Sequence, residues 1–166
     1  MTLRLILTRH AKSDWSQPGQ DDFDRPLNHR GRRDAPRLGD WLASRGYRPD
    51  LVLCSAAIRT RETMDLTLAA LGAEPEIRYR AALYQADADT MLDELRQATG
   101  QVVMMVGHNP AIGDFAHHLV HDRPLHERFD DYPTAATAII DFALPSWAEV
   151  GPGRGAIRDF VVPDDL

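Results

Sequence analysis

The chain has a single cysteine, Cys54. One cysteine forms no internal disulfide and no structural zinc site, so the fold must rest on its hydrophobic core. It follows the apolar run Leu51-Val52-Leu53 and reads as a small buried hydrophobe rather than a catalytic thiol. No apolar run approaches the roughly 20 residues needed to span a bilayer. Met1–Leu7 is too short for the apolar region and cleavage site of a secretory leader. The expectation is a cytoplasmic protein with no membrane partner. Positive charge is also in short supply: 19 Lys and Arg against 25 Asp and Glu give a net charge of −6. A general nucleic-acid binder carries a basic footprint, so nucleic acid is not an expected partner. Arg30, Arg32, Arg33 and Arg37 cluster locally and read as the solvated face of a helix. Internal repeats and low-complexity tracts are absent.

What is present is an alternation of short apolar runs and helical periodicity. The 166 residues suit one domain spanning 1–166. Leu3–Leu7 reads as a buried strand, and Ser13–Arg25 as a loop rich in Asp, Gln, Pro and Gly. Asn28 is placed to cap a helix running to about Arg45, with Leu38, Trp41 and Leu42 as its core-facing stripe. Pro36 implies either a bend in this helix or a later start. Leu51–Cys54 is a second strand, Ala57–Leu71 a helix closed by Gly72, and Ile77–Tyr79 a short strand. Thr90–Ala98 is helical and Val102–Val106 is a buried strand. Asn109 to about Val120 is helical with Pro110 at its first position, and Ala136–Phe142 and Ala156–Val162 are final strands. This order predicts an α/β fold, a sandwich around a mostly parallel sheet.

In such a sheet, active residues gather outside the carboxyl ends of the strands. The first strand ends in Thr8-Arg9-His10. The second ends in Ser55, with Arg59 entering the next helix. The Val102–Val106 strand ends in Gly107-His108-Asn109-Pro110. The fold therefore brings two histidines and two arginines to one rim. That set suits phosphoryl transfer. A neutral imidazole is a nucleophile that forms a covalent intermediate. Arginine offers a planar fork to two phosphoryl oxygens, and a second histidine adds a hydrogen bond and charge. Electrostatic placement then carries most of the catalysis, with no metal and no cofactor required.

These residues carry a resemblance. Leu7-Thr8-Arg9-His10-Ala11-Lys12-Ser13 resembles the Arg-His-Gly signature of the histidine phosphatases, with Ala11 where glycine is usual. Ser55-Ala56-Ala57-Ile58-Arg59-Thr60-Arg61-Glu62-Thr63 resembles the family's second phosphate-binding segment, and Gly107-His108-Asn109-Pro110 the segment of the second histidine. Asp24-Arg25-Pro26-Leu27 through Gly31, and Tyr132-Pro133-Thr134-Ala135-Ala136, are similar to the SixA-type phosphohistidine phosphatase branch. The resemblance covers about Leu3 to Phe142. It implies a phosphoglycerate mutase-like three-layer α/β/α sandwich in which His10 attacks phosphorus, Arg9 and Arg59 bind the phosphoryl oxygens, and His108 stabilises the charge in transit. It also implies a phosphorylated histidine-containing protein as substrate, and it sets Ser16 where larger relatives place a phosphate-binding asparagine.

Larger relatives have a carboxylic acid after the third strand that protonates the leaving oxygen. The matching region, about Ala81–Asp89, holds Tyr84, Asp87 and Asp89 but no glutamate in register, and Asp87 and Asp89 read as helix caps. An alkoxide leaving group usually needs a proton from the enzyme, whereas imidazole is far less basic. The lack of an acid thus favours phosphohistidine over a phosphomonoester. Three alternatives stand beside this reading. One is a small-molecule phosphomonoesterase. Another is a phosphate-binding regulatory module without turnover. The third is a metal hydrolase built on His117, His118, His121 and His126, with His117 and His121 on one helix face but without the glutamate of His-Glu-x-x-His. Trp15 is a candidate cover for the site or packs under its loop, and Lys12 is a candidate attractor for an anionic substrate or a plain exposed lysine.

Overall fold

The computed structural model describes residues 2–166. Six strands form one sheet: β1 (Leu3–Arg9), β2 (Leu51–Ser55), β3 (Glu76–Arg80), β4 (Val102–Gly107), β5 (Thr137–Phe142) and β6 (Ala156–Val161). The order across the sheet is β3-β2-β4-β1-β5-β6. β3, β2, β4 and β1 pair in parallel, while β5 runs antiparallel to both β1 and β6. The sheet is therefore mostly parallel, with β5 as the one reversed strand.

Two cores fill the faces of this sheet. Side chains alternate along a strand, so Leu3, Leu5 and Leu7 point one way and Ile6 the other. The first set packs with Met91 and Leu95 of α3 (Ala88–Arg96) and with Ile112 and Phe115 of α4 (Ala111–Leu119). Ile6, Val52 and Met104 pack with Leu38 and Leu42 of α1 (His29–Arg45) and with Met64 and Leu68 of α2 (Ile58–Leu71). Each such side chain contributes about 1.5–3 kcal/mol when fully buried, and this holds the three layers together. Cys54 belongs to the second core, and burial pushes its thiol up to about 12.

Capping fixes where the helices begin. Asn28 accepts the Gly31 N–H at 2.9 Å and starts α1, and Gly46 ends it in the left-handed region at φ +75°. Pro36 lies inside a continuous α1, so the later start is excluded. Proline removes one ladder bond there, to the exposed Arg32, and the complete burial of Leu38 and Leu42 outweighs that loss. Trp41 is only half-buried at the margin of the stripe. α3 starts two residues before its expected position because Asp87 accepts the Thr90 N–H at 2.8 Å. α4 is shorter than expected, and Pro110 sits at its cap position instead of its first turn. Capping falls to Asn109, whose Oδ1 accepts the Gly113 N–H at 3.2 Å.

The solvated arginine face of α1 has a buried centre. Asp34, 1 % exposed, lies within 3.6 Å of Arg30, 3.2 Å of Arg33 and 3.5 Å of Arg37. The helix also crosses α2 closely at Gly39. A Cβ there would lie 2.3 Å from the Thr67 carbonyl oxygen and 2.8 Å from the Ala70 Cβ. Gly39→Ala gains about 1 kcal/mol of helix propensity, but forcing α1 off α2 costs about 1–3 kcal/mol, with the upper end expected against a rigid carbonyl. The variant should unfold at lower urea than the parent. An unchanged or higher midpoint would contradict the close crossing.

Candidate active site

The carboxyl ends of β1, β4 and β2 lie side by side. Arg9 is opposite Gly107 in the β1–β4 pairing, and the His10 amide donates to the Gly107 carbonyl at 3.1 Å. The His10 and His108 rings follow at 5.3 Å between centroids. Arg59 enters from the first turn of α2. The expected set of Arg9, His10, Arg59 and His108 is thus assembled on one rim.

The hydroxyls and acid of the Ser55–Thr63 segment explain how this rim is held. Thr63 Oγ1 accepts the Ala11 N–H at 2.9 Å and donates to the Arg59 carbonyl at 2.7 Å, locking α2 to the chain just past His10. Thr60 Oγ1 donates to the Ser55 and Ala57 carbonyls. Glu62 accepts the Leu27 N–H at 2.8 Å. On the other flank the Ala135 amide reaches both the Arg9 and His10 carbonyls. Ala135 takes φ +63°, a region disfavoured for a residue with a Cβ, and buried Tyr132 secures the segment by donating its hydroxyl to the Leu7 carbonyl at 2.6 Å.

Hydrogen bonding also selects the tautomer of His10. Its Nδ1 is 2.7 Å from the Ala11 carbonyl oxygen. A carbonyl only accepts, so Nδ1 carries the proton and Nε2 keeps its lone pair. Burial lowers the His10 pKa to about 3, with His108, Arg9 and Arg59 adding to the fall, although the Ala11 bond opposes it. His108 is lowered to about 4, chiefly by burial and then by Arg59. Both rings are neutral near pH 7. His108 Nε2 meets Ser55 Oγ at 2.8 Å.

Both arginines have their tips tied down. Arg9 Nη1 donates to the Tyr132 carbonyl at 3.2 Å. Arg59 Nη1 donates to the Asp22 carbonyl oxygen at 2.7 Å and Nη2 to Asp22 Oδ2 at 3.0 Å. Their Nε atoms, together with His108 Nδ1, are buried and have no hydrogen-bond partner among the described residues. Buried polar atoms of this kind are rare and mark a ligand or functional role.

Three participants escaped the sequence reading: Asp22, Arg25 and the function of Tyr84. Asp22 lies on the short turn Asp22–Asp24. Its carboxylate accepts from Arg25 at 2.7 Å, from Arg59 at 3.0 Å and from the Tyr84 hydroxyl at 2.7 Å. These bonds hold its pKa well below the usual carboxylate range even though partial burial opposes them. The Asp24-Arg25-Pro26-Leu27 stretch pointed at the turn without giving its role.

The other candidates make their own local contacts. Ser16 is exposed, and its amide donates to the Asp14 carboxylate at 2.7 Å. Trp15 does not pack beneath the loop; it is 71 % exposed, with the Arg25 guanidinium stacked 3.5 Å from its ring centre. The Lys12 carbonyl accepts the Asn28 N–H at the start of α1. Asp87 caps α3 as expected, whereas Asp89 lies in the first turn, exposed and without a capping bond among the described residues. α4 ends at Leu119, so His121 does not share a helix with His117. His117 is bonded to the Gly113 carbonyl and to Asp130. No cluster of three or more His, Cys, Asp or Glu able to hold a metal occurs among the described residues.

A mostly parallel sheet with this rim defines a phosphoglycerate mutase-like histidine phosphatase fold. Comparison with known proteins agrees. Residues 5–84 match the model of the histidine phosphatase superfamily, branch 1. An uncharacterised protein of Mycobacterium tuberculosis strain H37Rv is 37 % identical over 162 residues, covering 93 % of this chain and 99 % of the relative. The structure of a candidate phosphohistidine phosphatase, SixA, from Agrobacterium tumefaciens superimposes with a TM-score of 0.83 at 35 % identity, covering 97 % of this chain and 98 % of that one. A second candidate SixA, from Nakamurella, gives 0.79 at 31 % identity, covering 98 % and 97 %. The chain belongs to the histidine phosphatase superfamily, in its SixA-type branch.

The two neutral histidines link the site to stability. The His10 pKa is 6.5 ordinarily and about 3 when folded. Between these values the unfolded chain binds the extra proton, so stability is full above the ordinary value and falls as pH drops below it. Urea unfolding of the parent should therefore weaken from about pH 7 to about pH 5, and His10→Gln should weaken less over that window. Identical pH slopes for the two proteins would contradict a buried, neutral His10.

Proposed function

We propose that the protein is a cytoplasmic, metal-independent phosphatase that removes the phosphoryl group from phosphohistidine on a carrier or signalling protein. The observation that carries this reading is the disposition of His10. Its Nδ1 proton is bound by the Ala11 carbonyl, which leaves the Nε2 lone pair for an electrophile, on a rim where Arg9 Nε, Arg59 Nε and His108 Nδ1 are buried without a hydrogen-bond partner among the described residues. The SixA relatives support the substrate class.

In this reading His10 Nε2 attacks phosphorus. The P–N bond of the substrate breaks and its electron pair returns to the departing imidazole. The Nε edges of Arg9 and Arg59 and the Nδ1–H of His108 bind the equatorial oxygens, where preorganised donors act on charge as it spreads. Positive charge from two guanidinium groups fills the role that a metal takes in other phosphatases. Water then cleaves the phosphate from His10, releasing inorganic phosphate and the starting imidazole.

The phosphomonoesterase alternative needs a proton donor for the leaving alkoxide. The carboxylate that meets Arg59 is Asp22, held ionised by three donors, and an ionised carboxylate donates no proton. We therefore expect kcat/KM on a phosphohistidine protein to exceed that on alkyl phosphates by several orders of magnitude. The rate should survive exhaustive chelation and the double change Asp87→Asn with Asp89→Asn, and it should vanish in His10→Ala of unchanged circular dichroism. Comparable efficiency on alkyl phosphates, or activity lost to EDTA and restored by a divalent ion, would replace this reading with a competing one. Arg59→Lys should weaken both turnover and competitive inhibition by vanadate, because an ammonium offers no planar fork; unchanged inhibition would remove Arg59 from the site.

A further inference from the structure

At His108 lies a cavity of about 290 Å3 lined by Asp22, Arg59, Tyr84, His108, Asn109 and Pro110, among others. It adjoins Arg59 and His108, which the proposed reading assigns to the phosphoryl group, and so offers the departing group a compartment. Its polar groups are mostly committed. Asn109 spends its amide on the Asp131 and Tyr132 carbonyls and on the Gly113 N–H. The Tyr84 hydroxyl donates to Asp22. Asp22 is the one carboxylate among the lining residues.

We propose that Asp22 selects the leaving group, favouring one that departs from a cationic state over one that gathers negative charge. This inference deepens the phosphohistidine reading and rests on it for the direction of departure. When the far nitrogen of the substrate imidazole is protonated, the phosphorylated ring is a cation. As the P–N bond breaks, the electron pair neutralises it and neutral imidazole leaves. His10 passes through the same change in reverse: a phosphoryl group on Nε2 with the proton kept on Nδ1 makes a cation, whose N–H the Ala11 carbonyl accepts. Asp22 provides the negative counterpart on the departing side. An ester, in contrast, pushes negative charge onto its leaving oxygen, and a carboxylate nearby opposes that. Arg25 and Arg59 flank Asp22, so neutralising the carboxylate makes the compartment more positive by one charge.

The end-on grip of Asp22 on Arg59 also orients that guanidinium, which affects every substrate alike. The ratio between substrates separates the two effects. The comparison uses a phosphohistidine peptide and para-nitrophenyl phosphate, whose leaving group departs as a phenolate that needs no strong acid. Phosphoramidate is the third substrate; its protonated nitrogen leaves as ammonia. Asp22→Asn should lower the kcat/KM ratio of phosphohistidine to para-nitrophenyl phosphate on the order of tenfold, and the phosphoramidate ratio in the same direction. Asp22→Glu, which keeps the charge, should retain the parent ratio. An equal loss on all substrates would reduce Asp22 to a support for Arg59 and overturn the proposal, as would a raised ratio. If the parent acts on phosphoramidate but not on the peptide, the protein-phosphohistidine reading fails while the phosphoramidate ratio still decides the role of Asp22. If it acts on neither, both fail.

Discussion

The site depends on the parallel register of β1 against β4. Arg9 lies opposite Gly107 and the His10 amide closes onto the Gly107 carbonyl, so the two chain segments leave the sheet together and their histidines meet. A slip of one residue would turn each strand's side chains to the opposite face. The alternation of Leu5, Ile6 and Leu7 between two filled cores forbids it. The precision of the site is therefore inherited from hydrophobic packing. Polar ties then refine it: Thr63 fixes α2 to Ala11, and Ala135 bridges the carbonyls of Arg9 and His10.

Charge is arranged to keep the histidines neutral. Burial disfavours the imidazolium form of both rings, and the guanidinium groups push the same way. A dianion placed among them would reverse the electrostatic balance at His108 and favour its protonated form. The site is thus built for an anion that brings its own charge. Asp22 gives part of that compensation to Arg59 through the two Nη atoms, leaving the buried Nε without a partner among the described residues.

Arg9, His10, Arg59 and His108 were legible because each sits where a strand ends or the next helix begins, and strand ends in a parallel sheet converge. The apolar run before Cys54 predicted its burial, and the helix start predicted the capping role of Asp87. Asp22, Arg25 and Tyr84 were not legible as a group. They come from an irregular loop and the turn after β3, and no periodicity links residues that meet only through side-chain ends. Ser16 was placed by analogy with longer relatives, and the loop here carries it to solvent. Pro36 left a bend or a later start of α1 open, and tertiary burial carried the helix through a residue that local propensity alone would put at its boundary.

In the proposed reaction His10 Nε2 is the atom that receives the phosphoryl group. A phosphate on imidazole survives alkali and is lost in acid, which distinguishes it from a serine or threonine ester. The most direct measurement is to mix the protein with phosphoramidate, quench rapidly in alkali and map the phosphorylated peptide by mass spectrometry. One acid-labile phosphate is expected on His10, absent from His10→Gln. An acid-stable label, or an acid-labile one on His108 with His10 unmodified, would contradict it.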